Sequence, residues 1–167
     1  VIGGGAPDSS DPTIPGGFAQ SSTSAVAGVD MRINTQIYSG GGDITIRGKT
    51  MNGNMSGVCI YGGYYGTNLS NVYSGDTEGK VIASGLGRIT IEGEGTSVNT
   101  LGLALGEGTY GGISIRSGYN AQASESAITL VGKTSSTYPG LRFGWLVHDH
   151  YSYDNAVQAT GTRSEEH

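Results

Sequence analysis

The sequence predicts an all-β chain, a parallel β-helix (solenoid) of short strands turned at glycines, with a β-sandwich as the second choice. Three observations carry this. Apolar–hydroxyl–apolar triplets recur beside glycines: Ile44-Thr45-Ile46 in "SGGGDITIRG", Ile89-Thr90-Ile91 in "GRITIEG" and Ile128-Thr129-Leu130 in "SAITLVG". Each opens a longer unit of the same layout, starting 45 and then 39 residues apart. No window places apolar residues at i, i+3, i+4 and i+7 with helix formers between them, so almost no helix is expected.

The physical reason for stacking lies in the triplets. Residues i and i+2 of a strand share a face. Ile44 and Ile46 therefore point one way and Thr45 the other. A strand this short buries too little alone and becomes stable when coils stack at about 4.8 Å, each inward isoleucine meeting those above and below. Propeller blades would use longer strands. Glycines serve the corners, where positive φ is common.

Composition bounds the rest. The chain has 167 residues, enough for one domain with a core. Glycine is the outlier at 31 residues, but there are only 4 prolines and no Gly-X-Y period, which excludes collagen. Recurring Ile, Leu and Val argue against disorder. The net charge of −5 and the absence of any basic run argue against nucleic acid and anionic membrane as partners. One cysteine, Cys59, excludes an intrachain disulfide and multi-cysteine metal sites. No apolar run reaches transmembrane length, so no membrane insertion is expected. No signal peptide is visible, and a chain running from "VIGGGAPDSS" to "TRSEEH" reads as a mature product or an excised fragment.

Taken in order, residues 1–24 are Gly, Pro, Ser, Asp and Thr with few apolar side chains, a flexible arm or linker. Residues 25–147 are expected to form the coils. "VDMRINTQIYSG" (29–40) is a strand alternating Met31, Ile33 and Ile37 against polar residues. The units at 44–61, 89–106 and 128–144 each carry a first triplet, a polar turn, and a glycine that opens a second triplet. The second triplets are Val58-Cys59-Ile60, Leu103-Ala104-Leu105 and Leu141-Arg142-Phe143. A degenerate copy, "GGISIRSG" (111–118), lies between the last two units. About 20 residues per coil gives roughly six or seven coils and a rod on the order of 30 Å. "WLVHDHYSYDNAVQ" (145–158) matches no coil, and 148–167 is a terminal coil, cap or tail.

Several residues carry candidate chemistry. "IYGGYYG" (60–66) gathers Tyr61, Tyr64 and Tyr65, with Tyr73 not far on. Exposed tyrosines offer a rigid apolar ring with a polar tip, suited to sugar stacking or protein contact. The same rings could instead cover a coil edge. Thr45, Thr90, Ser114 and Thr129 hold the middle of their triplets and would form an outward hydroxyl ladder if the coils stack in register. An ice-binding solenoid would need such a face to be flat and free of charge, whereas Arg47, Lys49, Glu92 and Arg116 lie beside it; the β-propensity of threonine is the plainer reading. His148 and His150 share a face of an extended segment and could ligate a transition metal, but a site needs three or four ligands and the remaining histidine is His167. Asp43, Asp76, Glu78, Asp149 and Asp154 have calcium-binding oxygens, yet they are scattered singly. A polysaccharide lyase or hydrolase would need acids converging on one coil face. "GEGTYG" (106–111) matches G-x-G-x-x-G but precedes a strand, not the helix a dinucleotide site requires. Asn54 and Asn68 open N-x-S sequons. Alternation points Cys59 outward as a reactive or dimerising thiol; burial under a loop is the alternative, and both stay open.

The pattern "SGGGDITIRG", then "GVCIY", then "GRITIEGEGTS" and "GLAL", resembles the coils of filamentous-haemagglutinin-like proteins, large bacterial adhesins exported by two-partner secretion. The resemblance spans roughly residues 29–145. It implies a right-handed parallel β-helix, a secreted or cell-surface location, a role in attachment, glycosylation at sequons such as those of Asn54 and Asn68, and no catalytic residues. The amino-terminal secretion domain of that family is not recognisable here, so the chain would be a segment of the shaft. The expected function is a non-enzymatic structural shaft that contacts a host-surface glycan or protein and needs no cofactor. Unpaired strand edges at its ends would favour end-to-end self-association, up to a filament.

Overall fold

The computed structural model describes residues 17–21, 27–32, 35–51, 55–61, 79–83, 86–107, 113–120, 125–143 and 156–159. These form twelve strands and no helix: β1 Ala19–Ser21, β2 Val29–Met31, β3 Gln36–Ser39, β4 Ile44–Thr50, β5 Ser56–Tyr61, β6 Gly79–Ala83, β7 Ile89–Gly95, β8 Leu101–Glu107, β9 Ile113–Ser117, β10 Ile128–Thr134, β11 Leu141–Phe143 and β12 Ala156–Ala159. They assemble into three four-stranded sheets: β1-β4-β7-β10 (sheet 1), β2-β5-β8-β11 (sheet 2) and β3-β6-β9-β12 (sheet 3). Successive strands visit sheets 1, 2 and 3 in turn, four times over. Every pairing among them is parallel. The sandwich alternative, which is built on antiparallel pairing, does not fit.

Register follows the spacing of the triplets. Ile44, Ile89 and Ile128 pair in one column, as do Ile46, Ile91 and Leu130. In sheet 2 the second triplets align, Val58 with Leu103 and Leu103 with Leu141. Sheet 3 stacks Ile37, Val81, Ile115 and Val157. A slip of one residue would turn each inward apolar side chain outward, so burial fixes the register. The core is made of these columns: Ile46, Ile91, Val58, Ile60, Leu103, Leu105, Val81 and Ile115 are fully buried.

Four expectations change. The described strands pass through the three sheets four times, with first triplets 45 and 39 residues apart rather than about 20, and four stacked strands span about 14 Å where six or seven coils would span about 30 Å. The shorter estimate per coil failed because a second and a third strand, with their turns, separate each first triplet from the next. The stretch 1–24 contributes a strand at its end, since β1 pairs with Gly48–Thr50. The stretch 29–40 is two strands in different sheets, β2 and β3. The glycines after the first triplets sit inside strands, not at corners: β4 runs through Gly48, β7 through Gly93 and β10 through Gly132.

Those glycines have another cause. A Cβ on Gly93 would lie 2.0 Å from the Gly102 carbonyl oxygen, and one on Gly48 would lie 2.2 Å from that of Gly57. Sheets 1 and 2 touch backbone to backbone along this line, with no room for a methyl group. Left-handed φ occurs at Gly106 (75°), Gly41 (143°) and one non-glycine residue, Asn99 (62°), among the described residues.

Candidate functional site

Sheet 1 turns an ordered face outward. Thr45, Thr90 and Thr129 lie in one column, Arg47, Glu92 and Val131 in the next, and Lys49, Glu94 and Lys133 in the third. Parallel in-register stacking places like positions about 4.8 Å apart, so a column of one sign would repel itself. The middle strand carries the acids and the outer strands the bases. Lys49 Nζ donates to Glu94 Oε1 at 2.7 Å, and Lys133 Nζ to Glu92 Oε1 at 2.7 Å. Arg47 Nε stands 3.5 Å from Glu92 Oε2. The hydrogen bond to Glu92, and then its charge, hold the Lys133 ammonium above the ordinary lysine range.

This face carries the residues of the expected hydroxyl ladder. The threonines of β4, β7 and β10 do form an outward ladder. Ser114 is not part of it: it lies on β9 in sheet 3, buried, with no hydrogen-bond partner for its hydroxyl among the described residues. "GISIRSG" was aligned with the first triplets by composition, but its place in the circuit is third. The ladder is flanked by ion pairs, unlike the charge-free face an ice-binding surface needs. Glu92 and Glu94 share the face, and each is engaged by a cation.

The outward side of sheet 2 is withdrawn from water. Asp30, Cys59, Ala104 and Arg142 form one row across β2, β5, β8 and β11. Cys59 is 3% exposed and Ala104 fully buried. Burial is thus the outcome for Cys59, against the outward thiol that alternation alone suggests. Tyr61 follows it, 8% exposed rather than an open platform. The Arg32 guanidinium lies 4.8 Å from the Tyr61 ring centroid and pairs with Asp30 at 2.6 Å. Burial, and then the neighbouring Cys59, push the Tyr61 hydroxyl well above the ordinary tyrosine range.

A third polar cluster ties circuits together at the entry to sheet 1. The Arg88 backbone N–H donates to Asp43 Oδ1 at 2.8 Å, so Asp43 serves the turn before β7. The Arg88 side chain donates to the Tyr119 hydroxyl and, at 2.7 Å, to Glu125 Oε1. Its guanidinium also lies 4.2 Å from the Tyr119 ring centroid. Tyr119 in turn donates to Glu125 Oε2 at 2.7 Å. No repeat spacing marks this cluster, since its members come from three different turns. The ion pairs of sheet 1 were more accessible to sequence, because the aligned triplets put Arg47 and Glu92 in one column.

Tyr64, Tyr65, Tyr73, Asn54, Asn68, Asp76, Glu78, His148, His150, Asp149 and Asp154 lie outside the described residues. Among those described, no three His, Cys, Asp or Glu side chains gather as a metal site. "GEGTYG" begins inside β8 and the next described element is the strand β9, so among the described residues no helix follows it to receive a phosphate. The tyrosines that stand clear are Tyr38, 58% exposed on the outer side of sheet 3, and Tyr138, 43% exposed in the turn after β10. Tyr38 shares its column with Ile82 and the exposed Arg116. Comparison with family models, curated proteins and solved structures returned no match.

Proposed function

We propose that the chain is a right-handed β-helix segment of a secreted or bacterial cell-surface protein, the structural shaft of a filamentous-haemagglutinin-like adhesin. One observation carries this reading: triplets far apart in sequence lie directly above one another, in parallel register, through successive circuits. A chain wound this way lengthens without altering its cross-section, which suits the task of holding a contact surface away from a cell. The right-handed winding and the surface location come from the resemblance. The work of the chain is mechanical and adhesive, with no reaction and no cofactor.

Contact with a host glycan or protein belongs to side chains that water can reach. Tyr38, with Arg116 in its column, is the described aromatic best placed for it, and Tyr64, Tyr65 and Tyr73 remain candidates from sequence. A glycan array probed with the purified chain, with and without calcium chelation, tests the adhesive role. We expect binding that Tyr38→Ala weakens at least tenfold without changing the melting temperature. Tyr61→Ala should instead lower the melting temperature, because that ring is packed. Absence of binding to any glycan or host-cell protein extract would remove the adhesive role.

A further inference from the structure

The chain has 14 acids against 9 bases, so a base has acids to choose from. Arg32 pairs with Asp30, Arg47 and Lys133 with Glu92, Lys49 with Glu94, and Arg88 with Glu125. Arg116 on β9 is exposed and makes no ion pair among the described residues. Register gives the reason. Tyr38, Ile82, Arg116 and Gln158 share one row of sheet 3, and the row beside it begins Gln36, Lys80, Ser114. Neither row holds an acid, whereas sheet 1 sets Glu92 and Glu94 among its bases. Ser114 is covered, but Gln36, Tyr38 and Arg116 are exposed. The Tyr38 hydroxyl donates to Gln36 Oε1 at 3.0 Å, which leans the ring along its strand. Tyr38 and Arg116 stand two strand spacings apart, about 9.6 Å.

We infer that this face binds a saccharide that bears carboxylates, with one sugar ring against Tyr38 and the carboxylate of a following residue on Arg116. The inference rests on the adhesive reading above and names the class of glycan for it. An exposed aromatic ring offers a rigid apolar face on which a sugar ring stacks. The guanidinium fork donates to both oxygens of a carboxylate at once, a geometry that a neutral hydroxyl does not match. The charge of the whole chain works toward the same choice. At a net charge of −5 most of the surface repels an anion, which leaves the acid-free face of sheet 3 as the place where it can settle. One unpaired arginine suits a chain with a single charge on a sugar residue. A densely sulfated chain calls for clustered bases instead. An acidic peptide would satisfy Arg116 but has no sugar ring to lay on Tyr38.

An array of paired glycans tests this, each uronate or sialic acid oligosaccharide set beside its carboxyl-reduced form. The wild type is expected to bind the carboxylated members at least tenfold more tightly, a preference that fades at high salt. Arg116→Gln should erase the preference and leave the weaker binding common to both forms. Tyr38→Ala should weaken both forms alike. Both side chains are exposed, so the melting temperature should not move. Lys133→Gln removes a base from sheet 1 and should keep the preference. Equal binding of the two forms, or a preference that survives Arg116→Gln, would overturn the inference and leave the adhesive reading standing. A poly-glutamate peptide that binds as tightly as the best saccharide, and needs Arg116, would overturn the assignment to a saccharide. No binding to any member would overturn the inference together with the glycan contact it rests on.

Discussion

Gly93 shows how much one missing side chain can decide. An added methyl would meet the Gly102 carbonyl oxygen at 2.0 Å, and backbone cannot rotate away as a side chain can. We expect Gly93→Ala to destabilise the fold by about 3 kcal/mol or more, at the upper end of overpacking effects. Thr90→Ala, three residues earlier on the outward face, should cost under about 1 kcal/mol. Urea unfolding monitored by circular dichroism compares the two; equal costs would mean that the sheets do not touch at Gly93. The position of this glycine was legible in sequence, but its reason was not. A glycine beside a triplet reads as a corner until the sheet packed across from it is known. Cys59 stayed open in sequence for a related reason: alternation gives the side of the strand, while burial depends on what lies beyond that side.

At the scale of elements, the ladder on sheet 1 keeps like charges off adjacent strands more than it adds stability. Its acids sit on β7 between the bases of β4 and β10, so no column sets like charges side by side. Ion pairs reached by water contribute little net stability because solvent and side-chain entropy offset them. Glu92→Gln removes the shared partner of Arg47 and Lys133, and the Glu92 side chain is only 16% exposed. The expected result is a modest loss of melting temperature at low salt that shrinks in 1 M salt, where the screening length is about 3 Å. A large loss that persists in high salt would show that Glu92 holds the fold by packing instead. Column membership in sheets 1 and 2 could be read from the aligned triplets, including the pairing of Ile44 with Ile89 and of Val58 with Leu103. Sheet 3 could not. Its strands carry no shared triplet, and Ser114, set between two isoleucines and flanked by glycines, looks like the middle of a first triplet.

At the scale of the molecule, the described strands return to each of the three sheets in turn. Sequence supplied the all-β class and the approach to stacking, because alternation and the absence of helical periodicity are local. The number of circuits was not local: it depends on how many strands separate one triplet from the next, and turn-rich stretches conceal strands such as β1 and β6. The most direct measurement is disulfide trapping in a Cys59→Ala background. Thr45→Cys combined with Thr90→Cys places two thiols at facing positions on adjacent parallel strands, and should give an intramolecular disulfide in the monomer under mild oxidation. Thr45→Cys combined with Ser114→Cys, on sheets 1 and 3, should not. A disulfide in the second pair, or none in the first, would contradict the three-sheet circuit and the shaft built on it.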